Sequence, residues 1–373
     1  MNVLISINKL DMGGAARVVY ELAKNIDKSL FKLKIVCIDG KSYSFLERQM
    51  LDENYDITFL KCPRLKNGFI AKVLNKIFSF YFDIISIIRL YKELNKIKPN
   101  IIHAHQCGIW AGYWTIFHKV PLITTVHSRP DGTFNRFTEK FILHLTIYLH
   151  CNILVAISKN NMKEIVSYWH LNSKYARYVN NGININKFYS ASNDIITFIN
   201  VSRQDKNKNQ SLILRAFYKL ANESPSIPIQ LYLIGDGDTH NSLVKESYNL
   251  GINAFVIFIG YIPSVTQYLS CSDVYISSAN REGLSLSVLE AMASRLPIIA
   301  TDAGGVRDLA EENGILVPCN DEEALYIAMK QFRDNEKLRI SKGKKSFEIV
   351  QNYSSINMAK NYCNIYQEFS KIK

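Results

Sequence analysis

The chain has 373 residues, of which 47% are hydrophobic and 21% charged, a composition typical of a globular protein long enough for two domains. Its seven cysteines are scattered and odd in number, without a Cys-x-x-Cys spacing, so we expect reduced thiols rather than a disulfide framework or a zinc site. No run of about 18 apolar residues and no leader-like N-terminus is visible, so we expect neither a membrane-spanning helix nor a signal peptide.

The net charge of +12 is confined to the first half of the chain. Residues 1–190 carry 26 Lys and Arg against 13 Asp and Glu, a net of +13, whereas residues 191–373 carry 19 against 20, a net of −1. This one-sided balance indicates an anionic partner, such as a membrane surface, a phospholipid-linked substrate or nucleic acid. A codon bias toward Lys, Asn and Ile is the alternative explanation, and it needs no partner.

Short β-branched runs alternate with segments of helical periodicity, which predicts an α/β fold of parallel sheets wound on both faces. The predicted strands are Val3–Ile7, Leu33–Ile38, Ile57–Leu60, Ile101–His105, Leu122–Val126, Ile153–Ile157, Ile195–Val201, Ile229–Ile234, Phe255–Ile259, Val274–Ser277 and Ile298–Thr301. The alternation pauses at Asn184–Asp194, where we place a domain boundary. Such sheets bind ligands beyond the carboxyl ends of their strands, so the loops that follow strands are the candidate functional segments.

The loop after the first strand contains Gly13 and Gly14, with Arg17 just beyond. Glycines at a strand-to-helix turn allow backbone N–H groups to approach a phosphate, and a tight packing turn is the alternative. The loop lacks Gly-x-Gly-x-x-Gly, which disfavours a nicotinamide cofactor.

Further along, the segment Phe69–Leu94 is rich in Ile, Phe and Tyr with basic residues beside it. It is either an amphipathic helix on an anionic membrane or a long helix packed under the next strand.

Three histidines fall near the ends of predicted strands. His127 follows Leu122–Val126 and is a candidate polar contact or proton carrier. His103 and His105 lie within the end of a buried strand and fit core residues better.

In the second half, Arg203 and Lys208 follow the strand Ile195–Val201, where two cations suit a diphosphate and a solvated charged loop is the alternative. Glu282 and Glu290 bracket a predicted helix start, where their carboxylates would accept hydrogen bonds from sugar and ribose hydroxyls. The backbone of Gly283, Leu284 and Ser285 would face phosphate. Alternatively, each glutamate is a cap or a surface charge.

Two further segments of the second half carry weaker signals. Gly304-Gly305, after the strand Ile298–Thr301, permits close backbone approach, although paired glycines are common in turns. Asp236-Gly237-Asp238 has the spacing of a divalent-metal site, but it lies in a glycine turn that aspartate favours in any case. We therefore predict no metal there.

Taken in order, these segments resemble glycosyltransferase family 4, which has the GT-B fold. The resemblance covers nearly the whole chain and rests on Gly13 to Val18, Asn181-Gly182-Ile183, Arg203 with Lys208, the Glu-x7-Glu pair Glu282 and Glu290, and Gly304-Gly305. It implies two Rossmann-like domains facing a cleft: an acceptor domain at 1–186, a nucleotide-sugar domain at 187–355 and a C-terminal helix at 356–373 that packs back on the first.

The resemblance also implies the activity and the residues that carry it. It implies transfer of a sugar from a nucleotide-diphosphate donor with retention and with no cofactor or metal. A UDP-sugar is the donor that we expect, because uridine donors are the commonest. Glu282 would contact the sugar, Glu290 the ribose, and Arg203, Lys208 and the Gly283–Ser285 amides the departing diphosphate. Gly13 and Gly14 would contribute to the donor phosphate site. His127 and Arg17 would lie on the acceptor side.

The basic, aromatic first half favours a lipid-diphosphate-linked saccharide acceptor and a peripheral location on the inner face of a bacterial membrane. Capsule, exopolysaccharide or O-antigen (lipopolysaccharide) synthesis would be the setting. The alternatives are a nucleotide-sugar 2-epimerase on the same fold, a nucleic-acid-binding protein and a metal-dependent transferase that uses Asp236 and Asp238. The chain carries no recognised nucleic-acid module, so we predict no nucleic-acid partner.

Overall fold

The computed structural model describes residues 1–11, 13–60, 77–128, 130, 133–134, 136–188, 195–223 and 228–370, apart from the side chain of residue 107. Its contacts divide the chain into two compact units. The first is formed by Met1–Gly182 and Ser355–Lys373, and the second by Ile183–Ser354. The chain passes between the units at residues 182–183, close to the predicted boundary at 186–187, and the C-terminal helix belongs to the first unit.

Each unit is built on a parallel sheet, which confirms the predicted fold class. The strands of the first unit are β1 Asn2–Ile7, β2 Lys32–Cys37, β3 Ile57–Phe59, β4 Ile101–His105, β5 Leu122–Val126, β6 Asn152–Ala156 and β7 Ala176–Tyr178. Those of the second unit are β8 Ile196–Val201, β9 Ile229–Ile234, β10 Val256–Gly260, β11 Val274–Ser277, β12 Ile298–Thr301 and β13 Gly314–Val317. Central strands such as β4, β5 and β11 are buried along their whole length, as expected where helices cover both faces.

Helices follow most of the strands. They are α1 Gly14–Asn25, α2 Phe45–Asp52, α3 Ser79–Ile97, α4 Gly112–His118, α5 Phe137–Tyr148, α6 Lys159–Tyr168, α7 Gln210–Asn222, α8 His240–Asn249, α9 Thr266–Ser270, α10 Leu286–Ala293, α11 Arg307–Ala310, α12 Glu322–Asp334, α13 Glu336–Val350 and α14 Ser355–Ser370. Among the described helices, none has the length and apolar character that crossing a bilayer requires.

The order of the strands determines where a ligand can bind. The first sheet runs β3-β2-β1-β4-β5-β6-β7 and the second runs β10-β9-β8-β11-β12-β13. In each, the winding direction reverses once, between β1 and β4 in the first sheet and between β8 and β11 in the second. The loops that leave these neighbouring strands border a crevice at the carboxyl edge, which is where open α/β sheets bind ligands.

Two strands were not predicted, and both lie at a sheet edge. β7 is the three-residue segment Ala-Arg-Tyr, which contains no apolar run, and β13 begins with glycine after Asn313. Edge strands are covered on fewer sides, so they do not need the continuous apolar run that identifies a central strand.

The aromatic segment Phe69–Leu94 is described only from residue 77 onward, and its part at 69–76 lies outside the described residues. From Ser79 it forms α3, whose first part buries polar residues and exposes aromatic ones, whereas Leu90 and Leu94 further along are buried. Asp83 and Ser86 are buried, at 3% and 2% exposed, while Phe80 and Tyr81 are 56% and 61% exposed.

Candidate active site

Arg203 and Lys208, the two predicted diphosphate ligands, stand in the loop that follows β8. Arg203 donates from Nε to Oδ2 of Asp205 at 2.6 Å, and its side chain is 75% exposed. Oδ1 of the same carboxylate accepts the backbone N–H groups of Asn207 and Lys208 at 2.9 and 3.0 Å. Burial alone would raise the pKa of Asp205, but these hydrogen bonds and the charge of Arg203 lower it below its ordinary value. One carboxylate therefore shapes the loop and holds Arg203.

The ammonium group of Lys208 forms an ion pair with the carboxylate of Glu282, although the two residues are 74 positions apart. Their side chains are 20% and 15% exposed. The backbone on either side is tied together as well. Ser278 donates from Oγ to the carbonyl of Lys208 at 2.7 Å, and the N–H of Asn280 donates to the carbonyl of Asn207 at 2.7 Å. The loops after β8 and β11 thus form one connected structure beside the crevice.

The chain that follows Glu282 is held against the loop after β12. The N–H of Glu282 donates to the carbonyl of Ala303 at 2.9 Å, and the N–H of Gly305 donates to the carbonyl of Glu282 at 3.1 Å. A Cβ at Gly305 would lie 2.7 Å from the carbonyl carbon and oxygen of Gly283, so only glycine permits this approach. Ser285 is the N-cap of α10, and its side chain does not cap the helix. The backbone amides in the first turn of α10 therefore receive no hydrogen-bond acceptor from the Ser285 side chain. They lie at the N-terminus of the helix, which is the end that favours anions.

Glu290 lies in α10 and is buried, with 2% of its surface exposed. The hydroxyl of Tyr275, on β11, lies 3.1 Å from the carbonyl oxygen of Val201 and 2.9 Å from Oγ of Ser287. The pKa of Tyr275 is raised by burial first, and further by the negative charges of Glu282 and Glu290. Both carboxylates of the Glu-x7-Glu pair therefore lie near enough to Tyr275 for their charges to raise its pKa.

The Asp236-Gly237-Asp238 turn supports the Arg203 loop. The N–H of Gln204 donates to the carbonyl of Asp236 at 2.9 Å, and its side chain donates to the carbonyl of Gly235 at 2.9 Å. Gly235 has φ +126°, and a Cβ there would lie 2.0 Å from the carbonyl oxygen of Ser202. Both aspartates are exposed, and no group of three or more His, Cys, Asp or Glu among the described residues is placed to hold a metal ion. The sequence of this turn therefore has a structural explanation.

In the first unit, Gly13 and Gly14 connect β1 to α1 and are exposed. Gly13 is the N-cap of the helix, and its N–H donates to Oδ1 of Asp11 at 2.9 Å. Arg17, in the first turn, is half-buried, and its N–H donates to the carbonyl of Gly13 at 3.2 Å. The loop has the strand-to-helix geometry that the sequence predicts, and its phosphate role stays a prediction.

His127 follows β5 and is half-buried, while His103 and His105 are fully buried on the neighbouring strand β4. Nδ1 of His105 lies 2.6 Å from Nε2 of His127. His103 uses both ring nitrogens, with Nδ1 2.6 Å from the hydroxyl of Tyr366 and Nε2 2.7 Å from Oγ1 of Thr125. Burial lowers the pKa of His127 to about 4 and that of His103 to about 3, so both rings are neutral at pH 7.

Sequence reasoning missed Asp205 and undervalued His105. The signal for Asp205 was present, because an aspartate that accepts the backbone N–H groups two and three residues later is a common way to build a turn. His105 gave no such signal. That it contacts His127 follows from the pairing of β4 with β5, in which His105 lies opposite Thr125.

Comparisons with known proteins place both units in one class. Residues 12–187 match the model described as Glycosyltransferase Family 4, and residues 184–348 match the one described as Glycosyl transferases group 1. The two matches together span most of the chain.

The relatives with named activities include two whose names specify a diphospho-undecaprenol-linked saccharide. N-acetylgalactosamine-N,N'-diacetylbacillosaminyl-diphospho-undecaprenol 4-alpha-N-acetylgalactosaminyltransferase from Campylobacter jejuni is 24% identical over 95% of this chain and 96% of its own length. UDP-Gal:alpha-D-GlcNAc-diphosphoundecaprenol alpha-1,3-galactosyltransferase from Escherichia coli is 26% identical over 78% of this chain and 80% of its own length.

Solved structures agree on the fold. Anabaena HepE in complex with UDP and glucose superposes with a TM-score of 0.81 at 14% identity, covering 98% of this chain and 99% of HepE. Sucrose-phosphate synthase from Thermosynechococcus elongatus superposes with a TM-score of 0.79 at 17% identity, and each chain is covered completely. The two parallel sheets, the two family matches and the Campylobacter jejuni relative, which covers 95% of this chain, all agree. This chain belongs to glycosyltransferase family 4 and has the GT-B fold.

Proposed function

We propose that this protein transfers a sugar, with retention and without a divalent metal, from a UDP-sugar to a lipid-diphosphate-linked saccharide. The observation that carries the proposal is the connected group of Arg203, Lys208 and Glu282 at the switch point of the second sheet. Two cations and a carboxylate lie there, and the amides that begin α10 follow Glu282 in the chain. Such groups suit a nucleotide diphosphate that bears a sugar.

The chemistry explains why these groups are needed. The bond from the anomeric carbon to the diphosphate oxygen breaks as the acceptor oxygen bonds to the same carbon. The sugar then becomes oxocarbenium-like while the leaving diphosphate gains negative charge. Arg203, Lys208 and the N–H groups at Gly283–Ser285 would stabilise that charge in place of a metal ion. The acceptor proton would pass to the leaving diphosphate, because retention by front-face attack uses no enzymic nucleophile.

The choice of donor and of stereochemistry is supported by the relatives. The Escherichia coli relative is named for a UDP-Gal donor, and Anabaena HepE was solved with UDP. Both named relatives form alpha linkages. Common UDP-hexoses carry their sugar in α linkage, so an α product means retention. We propose that Glu290 holds the ribose and Glu282 the sugar hydroxyls of such a donor.

A thermal-shift screen against UDP-, GDP- and ADP-sugars tests the donor. A ligand at about 100 times its Kd adds about 2.7 kcal/mol to the free energy of unfolding, so the true donor class should stand out. We expect a shift with UDP-sugars that is unaffected by EDTA. A shift that requires Mg²⁺, or one confined to another base, would contradict the corresponding part of the proposal. Incubation with donor alone separates the transferase from a 2-epimerase, because only an epimerase converts the donor without an acceptor.

The acceptor proposal rests on the first unit. The names of both relatives specify diphospho-undecaprenol-linked saccharides, and the first 190 residues carry a net charge of +13. A lipid-linked acceptor requires the enzyme to work at a membrane surface. We therefore propose a peripheral location on the inner face of a bacterial membrane, in the assembly of a surface polysaccharide.

An exposed apolar surface on α3 and α5 supports the membrane contact. We define the aromatic patch by its exposed side chains Phe80, Tyr81, Ile84, Phe137 and Phe141. The rings of Phe80 and Phe137 join the two helices, with centroids 6.4 Å apart. Near the start of α3, the buried Asp83 accepts a hydrogen bond from Thr138 at the start of α5, while the aromatic side chains of the patch are exposed. Exposed aromatic side chains in the positively charged first half of the chain suit the interface of an anionic bilayer.

Sedimentation with lipid vesicles tests this surface. We expect the protein to bind vesicles that contain phosphatidylglycerol and to bind neutral phosphatidylcholine vesicles weakly. Phe80→Ser and Phe137→Ser should each reduce binding, whereas Tyr248→Ser, an equally exposed aromatic change in the second unit, should not. Equal binding to both kinds of vesicle would contradict the electrostatic part of the proposal. Unchanged binding by the patch variants would contradict the assignment of the surface.

A further inference from the structure

The contact between His105 and His127 contains a proton whose position has consequences for catalysis. Nδ1 of His105 and Nε2 of His127 are 2.6 Å apart, and their rings are stacked with centroids 4.9 Å apart. One ring nitrogen must donate and the other accept. Nε2 of His105 is buried and has no hydrogen-bond partner among the described residues.

That buried nitrogen decides which ring donates. If His127 donated from Nε2, the neutral His105 would carry its own proton on Nε2, as a buried N–H without an acceptor. If His105 donates from Nδ1, its Nε2 is an unprotonated acceptor. A buried N–H without a partner is rarer in proteins than an acceptor that lacks one, so donation from Nδ1 of His105 is favoured. Burial also lowers the pKa of both rings, so neither nitrogen gains a second proton at neutral pH.

The surroundings of His105 keep its ring in this orientation. The ring of His103 packs against it with a centroid distance of 4.3 Å. Both nitrogens of His103 are engaged, with Tyr366 and Thr125, so His103 supplies packing to His105 rather than a hydrogen bond. Thr125 in turn lies 3.0 Å from the hydroxyl of Tyr362. Residues of α14 therefore help to fix the histidines at the end of β4.

We propose that His105 is a positioning residue that holds His127 as its Nδ1–H tautomer, so that His127 offers a hydrogen-bond donor to a saccharide oxygen. This inference rests on the proposed function, because it takes a saccharide as the ligand at this edge of the first sheet. With Nε2 occupied by His105, Nδ1 is the ring nitrogen that remains for a ligand. In this tautomer Nδ1 already carries a proton, so His127 binds an oxygen lone pair and does not deprotonate the acceptor hydroxyl.

The tautomer can be observed directly, without turnover. In protein labelled with ¹⁵N-histidine, two-bond ¹⁵N–¹H correlation spectra distinguish the Nδ1–H, Nε2–H and charged rings. We expect His127, assigned by loss of its signals in His127→Gln, to be the Nδ1–H form in the wild-type protein. An Nε2–H or charged His127 in the wild type would overturn the proposal, and this result requires no variant of His105.

Two variants at position 105 then separate positioning from simple packing. His105→Asn places an amide N–H near the former position of Nδ1, so His127 should remain the Nδ1–H form. His105→Leu removes the donor, and we expect the Nε2–H form to appear. His118→Asn, which removes a histidine elsewhere in the first unit, serves as the control and should leave the His127 signals unchanged. An unchanged His127 tautomer in His105→Leu would refute the role of His105.

Kinetics provides the second measurement. We expect His105→Leu to lower kcat/KM about tenfold, the scale of one hydrogen bond, and His105→Asn to restore most of it. If the spectra show the expected tautomer but no UDP-sugar is turned over, the proposed function fails while the positioning inference stands. If UDP-sugars are used as proposed but His127 is the other tautomer, only the inference fails.

Discussion

Replacing Lys208 by alanine removes the partly buried cation of the second unit that is paired with Glu282. The Lys208 side chain is 20% exposed, whereas the side chain of Arg203 in the same loop is 75% exposed. The backbone should keep its place, because Asp205 accepts the N–H of residue 208 and Ser278 donates to its carbonyl. The variant therefore tests the charge rather than the shape of the loop.

The size of the effect follows from that degree of burial. Two unit charges 4 Å apart interact by about 1 kcal/mol in water and about 4 kcal/mol at an effective dielectric constant of 20. A group four-fifths covered lies nearer the second limit. Loss of one fixed donor to a developing anion costs roughly 2.7–4 kcal/mol, so we expect kcat to fall about 100- to 1,000-fold.

In Lys208→Ala, the Glu282 carboxylate is left without its cation and would also repel the diphosphate. Lys208→Ala combined with Glu282→Gln should therefore regain UDP affinity without regaining turnover.

The assay is the initial rate of UDP release from UDP-sugar and acceptor. Lys206→Ala is the matched control, because it removes an equal charge from an exposed position of the same loop. Its rate should stay within about threefold of wild type, the scale of ordinary surface changes. If Lys208→Ala keeps its thermal transition and loses less than about tenfold in kcat, on the same scale of donor energies, the diphosphate role of Lys208 is refuted.

Two further predictions concern stability. Gly235→Ala places a Cβ 2.0 Å from the carbonyl oxygen of Ser202, at φ +126°. It should lower the free energy of unfolding more than Gly251→Ala does, because at Gly251 φ is +71° and no atom lies within 4 Å. Denaturant titration compares the two variants, and equal losses would refute the clash. His103 has its pKa lowered to about 3 from 6.5, so the unfolded chain binds a proton that the native protein does not as the pH falls below 6.5. The free energy of unfolding should therefore decrease on acidification, by up to about 1.4 kcal/mol per pH unit for this residue. His103→Gln should show a shallower slope in denaturant titrations between pH 7 and 5, and identical slopes would contradict the assignment.

Much of this architecture could be predicted from the sequence because central parallel strands are buried on both faces and are therefore rich in apolar and β-branched residues. β4, β5 and β11 are buried along their whole length and β8 up to its last residue, whereas β7 and β13 are only partly buried. The candidate loops could be identified because each follows a predicted strand, and the end of that strand fixes the sheet edge to which the loop belongs. Local sequence patterns could not predict which segments distant in the chain lie side by side.

The site shows the same division. Lys208 and Glu282 were each identifiable by residue type and position, yet their ion pair depends on how β8 and β11 are placed side by side. The role of Asp205 depends on local backbone geometry, which its neighbours only favour. The proton between His105 and His127 depends on a 2.6 Å contact and on burial, and neither quantity is encoded in a local pattern.

The helix α14 completes the first unit, although it is made after the whole of the second unit. Tyr362 and Tyr366 of α14 supply hydroxyls to the buried polar network of β4 and β5, whereas the second unit is continuous in sequence from Ile183 to Ser354. During synthesis on the ribosome, the second unit can therefore acquire all its contacts before the first has its own. A nascent chain that has not yet emerged beyond residue 354 leaves His103 without Tyr366. In most multidomain proteins the N-terminal domain folds first during synthesis. In this protein the first unit can be completed only after the second unit has been made.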